Sequence, residues 1–354
     1  MPVIDSDAHV VETEQTWAYM EGADAKHRPE VVQAGDGRKY WMIEGQLRGN
    51  AGGPVGAKGL ARSLSAKRGM VTDDAMRFME DIPGRIAHMD ELGIDVQILY
   101  PTIYIRRMCD GPETEVALSR SYNRWLADIW AEGKGRLRWA CMLPMRTIEE
   151  AINELHFSKE HGACGVSMRS IEDDRLLNDP SFFPLYEEAA KLDIPITVHI
   201  GNSNPTSAAV WSKDGAGGTF GHLRLMSVAA CHLLITNSVP QMFPSLRWGF
   251  IEASAQWVPY MVHDLRRRLE GRGRTLGELP LKDHNIWVTC QTDDDLPYVL
   301  KYAGEDNIIV GTDYGHQDQS SEIEAMRVMR EQGDVEPRVI DKIMGENAVK
   351  FYGL

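Results

Sequence analysis

Short apolar runs recur along this chain, separated by longer amphipathic stretches. Eight of them read as strands: Val3–Ala8, Val96–Tyr100, Leu137–Leu143, Gly165–Met168, Ile196–Ile200, Trp248–Ile251, Ile286–Cys290 and Ile308–Thr312. Between them, Val116–Trp130 puts Leu118, Tyr122, Trp125, Leu126 and Ile129 on one face, at helical spacings of three and four. Pro184–Leu192 and Pro297–Ala303 read as the helices before the fifth and eighth strands. Around Asp90–Asp95 a helix ends at Gly93 and turns directly into a strand. This alternation predicts a closed parallel sheet, a single (β/α)8 TIM-barrel domain over residues 1–354. An open doubly wound sheet is disfavoured because no GxGxxG follows the first strand.

One stretch breaks the rhythm. Residues 12–81 are too long for one barrel helix and predict an inserted N-terminal flap. Within it, Gln46–Met70 is glycine-rich and carries Arg48, Lys58, Arg62, Lys67 and Arg68 without one acidic residue. It reads as a mobile surface lid, or as a cationic flap in which Arg62, Lys67 and Arg68 meet an anionic substrate. A phosphate-bearing carrier such as coenzyme A suits the second reading.

Composition narrows the classes. A hydrophobic content of 43% supports a sizeable core, and 25% charged residues is ordinary for a globular chain. The net charge of −14 argues against general binding to nucleic acid or a membrane surface. No run of eighteen apolar residues implies a membrane span, and no signal-peptide pattern opens the sequence. Five dispersed cysteines without CxxC spacing point to reduced thiols in the cytoplasm, not to a zinc–thiolate site.

In a parallel barrel the active site forms at the C-terminal ends of the strands. Asp7 and His9 finish the first strand and, two residues apart, project to the same side. Arg169 follows the fourth strand, where it could contact substrate. His199 ends the fifth, Glu252 finishes the sixth, and Asp313 finishes the eighth with His316 in the next turn. Singly, each has a plain structural explanation: a hydrogen-bonded core histidine, a buried ion pair, a turn cap. Together, so many converging ionisable groups would be costly to bury without a divalent cation. Imidazole and carboxylate donors without thiolate suit zinc, manganese or iron.

The motifs Ile4-Asp5-Ser6-Asp7-Ala8-His9-Val10-Val11-Glu12, Met89–Asp95, Tyr122–Trp125, Val198-His199, Phe243–Arg247 with Ile251-Glu252, and Gly311–His316 span nearly the whole chain. Their combination resembles the amidohydrolase-related family of metal-dependent TIM barrels, which includes aminocarboxymuconate-semialdehyde decarboxylase. The resemblance implies metal ligation by Asp7, His9, His199 and Asp313, with Asp313 also accepting a proton from metal-bound water. Two positions depart from the family's decarboxylases. Their first strand carries HxH or ExH, where this chain has Asp7 and His9. Their sixth strand ends in a histidine, where Glu252 stands here, and this makes decarboxylation less expected.

The extra carboxylate opens a second resemblance, to the TIM-barrel nonheme diiron monooxygenases of platensimycin and platencin biosynthesis. Glu12, His222, Glu252 and His316 would then form an outer group, enough for two metals. His222 reads equally as an ordinary helix residue. The leading expectation is therefore an enzyme acting through metal-activated water on a small organic acid, ester or thioester, with Asp313 as base and Glu252 or His316 relaying the proton. The alternative is hydroxylation of a hydrophobic, coenzyme A-linked substrate at two irons. Barrels of this type often pair, so a homodimer is expected.

Overall fold

The computed structural model describes residues 1–35, 37–52, 72–213, 219–316 and 320–354. Lys58, Arg62, Lys67 and Arg68 lie outside the described residues. The chain opens with β1 (Ile4–His9) and then makes a three-stranded antiparallel sheet of β2 (Glu30–Gln33), β3 (Lys39–Ile43) and β4 (Gln46–Asn50). After helix α1 (Ile82–Glu91) come β5 (Val96–Tyr100), the long helix α2 (Pro112–Glu132), β6 (Leu137–Met142) and β7 (Ala163–Met168). A short hairpin, β8 (Ile171–Glu172) and β9 (Arg175–Leu176), precedes β10 (Ile196–His199), β11 (Trp248–Ile251), β12 (Ile286–Cys290) and β13 (Ile308–Val310). The chain finishes in helix α3 (Asn347–Tyr352).

Eight strands form one sheet in the order β1-β5-β6-β7-β10-β11-β12-β13, every pairing parallel. The last returns to the first just past its end, where His9 N donates to Tyr314 O at 2.6 Å and Asp313 N to Asp7 O at 2.8 Å. The expected (β/α)8 barrel is thus borne out, and all eight strands fall where the apolar runs place them.

Strands apolar on both faces explain why the pattern is so readable. Outward residues such as Leu99, Val166, Val198, Phe250 and Val310 pack under the helices. Inward residues Ile4, Ile98, Ala140, Ile251 and Ile309 form a second core with Phe351 and Tyr352 of α3. Each such side chain, fully buried, stabilises the fold by roughly 1.5–3 kcal/mol. Tyr352 reaches far enough inside to exchange a 3.0 Å hydrogen bond with the Tyr100 hydroxyl.

The segment between β1 and α1 has packing of its own. Trp17 and Trp41 are buried and meet edge to face at 5.8 Å. Ser121 of α2 donates to Thr16 O at 2.6 Å, which seats the segment on that helix. Among the described residues, no helix is long and apolar enough to cross a membrane.

Closure depends on a glycine. A Cβ on Gly311 would lie 2.2 Å from the Cβ of Asp7, so no larger residue lets the last strand reach the first. Gly311→Ala is expected to destabilise the protein by about 1–3 kcal/mol, the range for overpacking a tight core. Urea unfolding measures it, and an unchanged midpoint would contradict this account of the seam.

Candidate metal centre

Six polar side chains converge at the C-terminal mouth of the barrel. Asp7 and His9 come from β1, with a register irregularity between Asp5 and Ala8 in its pairing with β5. His199 ends β10, Glu252 follows β11, and Asp313 and His316 follow β13. All six are at most 4% exposed. Ligand atoms of Asp7, His9, His199 and Glu252 lie within 4.8 Å of one another, as do those of His9, Glu252, Asp313 and His316.

Two of the carboxylates stand on strained backbone. Glu252 and Asp313 have φ of 65° and 54°, a left-handed region that non-glycine residues enter at a cost of about 1–3 kcal/mol. The tight turn after each strand aims its carboxylate into the barrel mouth instead of along the strand.

The hydrogen bonds fix the state of the imidazoles. His9 Nδ1 lies 3.2 Å from Pro101 O, and His199 Nδ1 lies 3.1 Å from Ile200 O. A carbonyl only accepts, so in both rings Nδ1 carries a proton, and in His9, which burial keeps neutral, Nε2 presents a bare electron pair. Both Nε2 atoms face carboxylates. His9 Nε2 is 3.5 Å from Asp7 Oδ1 and 3.4 Å from Asp313 Oδ1. His199 Nε2 is 3.3 Å from both Asp7 Oδ1 and Glu252 Oε2. His9 Nε2 is buried without a hydrogen bond. The His9 lone pair, pointed at anions, is repelled unless a cation lies among them. The donor set fits a divalent ion held by nitrogen and oxygen, and backbone carbonyls that lock the ligand tautomers are the usual support of such a site.

The electrostatics agree. Burial pushes His9 down to about 3, with the neighbouring His316 adding to the effect, so it is neutral in ordinary buffers. Burial works against the ionised form of Asp7, but His199, whose Nε2 is hydrogen-bonded to Asp7 Oδ1, outweighs it and holds that carboxyl below the usual range.

His316 stacks on His9 at 3.7 Å between ring centres. Its Nε2 is 3.0 Å from Thr102 Oγ1, which donates its own proton to Val10 O at 2.7 Å. Thr102 therefore accepts from His316 Nε2–H, and Nδ1 faces Asp313 Oδ1 at 2.8 Å. Ser321 donates to the other Asp313 oxygen at 2.8 Å. Thr102 stands at the end of a barrel strand, where the strand-end rule would have found it; Ser321 lies in a loop that gives no sequence signal.

Other expected site residues are placed differently. His222 is buried but stands outside both ligand groups; its Nδ1 is 3.5 Å from Asn202 Nδ2. Both oxygens of Glu12 accept backbone N–H, from Thr102 at 3.0 Å and Ile103 at 3.2 Å, so it staples two loops instead of joining the ligands. Burial lifts its carboxyl to about 7. Arg169, expected to contact substrate, is buried against Glu172 at 2.5 Å and donates to Tyr104 O and Arg106 O.

The chain belongs to the amidohydrolase family, whose model matches residues 4–354. It is 23% identical over 287 residues to 2-amino-3-carboxymuconate-6-semialdehyde decarboxylase of Dictyostelium discoideum, covering 76% of each chain. Among solved structures it resembles an amidohydrolase of Mycobacterium avium subsp. paratuberculosis K-10, with TM-score 0.78 and 22% identity over 100% of this chain and 98% of that one. It also resembles 5-carboxyvanillate decarboxylase of Novosphingobium aromaticivorans, solved with manganese and 4-hydroxy-3-methoxy-5-nitrobenzoic acid. That match has TM-score 0.70 and 19% identity, over 100% of this chain and 96% of the other.

His9→Ala and His199→Ala are each expected to lower bound divalent metal at least tenfold while leaving the barrel folded, since each removes one imidazole donor from a carboxylate-rich cluster. Elemental analysis beside circular dichroism checks this. Full metal content in either variant would refute the assigned site.

Proposed function

We infer that this protein is a metal-dependent enzyme that breaks a bond at the carboxyl carbon of a small organic acid, with loss of carbon dioxide as the reaction. The observation that carries the metal is the pair of imidazole Nε2 atoms, that of His9 bare, facing three buried carboxylates. Support for the reaction comes from the named decarboxylases among its relatives, one of them solved with a benzoic acid. They shift the weight from the hydrolysis expected on sequence grounds, although Glu252 still stands where those enzymes are expected to carry an imidazole.

A bound divalent cation would polarise an acid's oxygen and lower the pKa of water beside it. Asp7, His9 and His199 are the residues to hold it, with Glu252 in the same group of ligand atoms and Asp313 joined to them through His9. Ser321 fixes one oxygen of Asp313 and leaves the other toward His9 and His316. Asp313 with His316 is thus the pair placed to hold a proton at the reacting centre. In decarboxylation the bond from the substrate carbon to its carboxylate breaks, its electron pair stays on the substrate, and the proton on this pair replaces the departing group. Asp313 and His316 are 2% and 4% exposed, which limits exchange of that proton with bulk water.

A second reading, oxygen chemistry at two irons, is favoured by one observation. The two ligand groups overlap through His9 and Glu252, so neighbouring cations could share ligands. Metal stoichiometry separates the readings. About one manganese or zinc per chain, with anaerobic release of carbon dioxide from a hydroxybenzoate or an unsaturated keto acid, is the expected result. About two irons per chain, with oxygen consumption on an acyl-coenzyme A and no carbon dioxide released without oxygen, would overturn it. Under the first reading, Asp313→Asn is expected to lower kcat by about 100- to 10,000-fold, the usual contribution of a positioned proton-transfer group, and steady-state kinetics would show it.

A further inference from the structure

His316 reaches the barrel mouth on a loop that its neighbours hold tightly. The preceding Gly315 has φ of 103°, and a Cβ there would lie 2.9 Å from His9 O. Arg77, itself buried, donates to Gly315 O at 3.2 Å. Stacking on His9 fixes the plane of the His316 ring. It does not fix which edge of the ring faces which way. A half-turn about the bond to Cβ leaves the stack in place and exchanges each nitrogen for a carbon.

The two orientations differ in the 3.0 Å hydrogen bond between His316 Nε2 and Thr102 Oγ1. Thr102 is 5% exposed and has one hydroxyl proton, which it gives to Val10 O at 2.7 Å. Toward His316 it therefore only accepts. That requires a proton on Nε2 and leaves Nδ1 turned toward Asp313. Thr102 is held from behind as well. Its N–H and that of Ile103 are taken by the two oxygens of Glu12, a fully buried side chain. From Glu12 through Thr102 to His316, each group has its place set by the one before it.

We propose that Thr102 is a positioning residue of the reaction: its hydroxyl, committed to Val10, fixes the orientation and tautomer of His316, so that Nδ1 and not a ring carbon meets Asp313. Thr102 acts through His316 and not on the substrate. This rests on the reading of Asp313 and His316 as the pair that holds the proton.

Two variants separate the hydroxyl from the shape of the side chain: Thr102→Val removes it, and Thr102→Ser keeps it. The direct readout is the ring-nitrogen NMR spectrum of zinc-loaded, histidine-labelled protein, with the His316 signals assigned by their loss in His316→Gln. Wild type and Thr102→Ser are expected to show a slowly exchanging proton on His316 Nε2, and Thr102→Val to lose it. Turnover is read beside it, as carbon dioxide released from the hydroxybenzoate or unsaturated keto acid that wild type takes. Thr102→Val is expected to lower kcat about 10- to 100-fold, the usual cost of removing a hydrogen bond that orients a functional imidazole. KM and bound metal stay unchanged, and Thr102→Ser restores kcat. In a His316→Gln background Thr102→Val costs nothing further, whereas a merely structural threonine would cost the same in both. A Nε2 proton that survives in Thr102→Val, full kcat in that variant, or equal costs in the two backgrounds each overturns the proposal. A wild type that releases no carbon dioxide refutes the reaction beneath it, and the spectrum then decides by itself whether Thr102 sets the ring.

Discussion

The structure depends on a seam between residues 307 positions apart. Asp5, fully buried in β1, accepts from Thr312 N at 2.8 Å and from Thr312 Oγ1 at 2.6 Å. Gln97 of β5 donates to the same carboxylate at 2.9 Å and accepts from Arg85 of α1 at 2.7 Å. Arg85 then lies 3.5 Å over the ring of Tyr314, back on the far side of the seam. Burial still lifts the Asp5 carboxyl to about 6 in spite of these donors, which measures how dry the place is. A carboxylate so buried is tolerable only with such partners. The partners are what set the first and last strands in register. Asp7, His9 and Asp313 inherit their positions from that register, so the centre is as precise as the seam.

The same economy explains the strain and repulsion at the barrel mouth. Three carboxylates converge with the imidazoles of His9, His199 and His316, and the bare His9 nitrogen faces two of those carboxylates. Two of the carboxylates sit on left-handed backbone. None of this favours folding by itself. A divalent cation would convert the repulsion into ligation and offset the backbone strain, so metal binding and stability are linked: an ion that binds only the folded chain shifts the folding equilibrium by its own binding free energy.

What was legible in the sequence follows from how each feature is encoded. The barrel strands were legible because covering on both faces makes each an unbroken apolar run. Asp7, His9, His199, Glu252 and Asp313 were legible because a parallel barrel gathers strand ends at one mouth. The sheet β2–β4 was not, since its strands are half-exposed and alternate too weakly to stand out: Glu30–Gln33 buries no residue and Gln46–Asn50 none either. Arg169 was legible as a strand-end arginine, but its ion pair with Glu172, three residues on, was not, because that pairing shows only in three dimensions. Imidazole tautomers were beyond reach, because they depend on the carbonyls of Pro101 and Ile200, whose placement is backbone geometry.

The fate of Arg169 bears on how an acid would be held. It is the one basic side chain lining the cavity beside His199 among the described residues, and its charge is matched by Glu172. The rest of that wall is apolar or neutral. A substrate carboxylate entering there would meet no unmatched positive side chain, while Asp7, Glu252 and Asp313 stand within the same mouth and repel it. Without a cation the site is therefore hostile to the acids it is read as taking. With one, the charge that attracts the substrate and the charge that gathers the ligands are the same. Metal affinity and acid affinity then rise together, a coupling that acts in both directions because it is one free energy shared between two binding events.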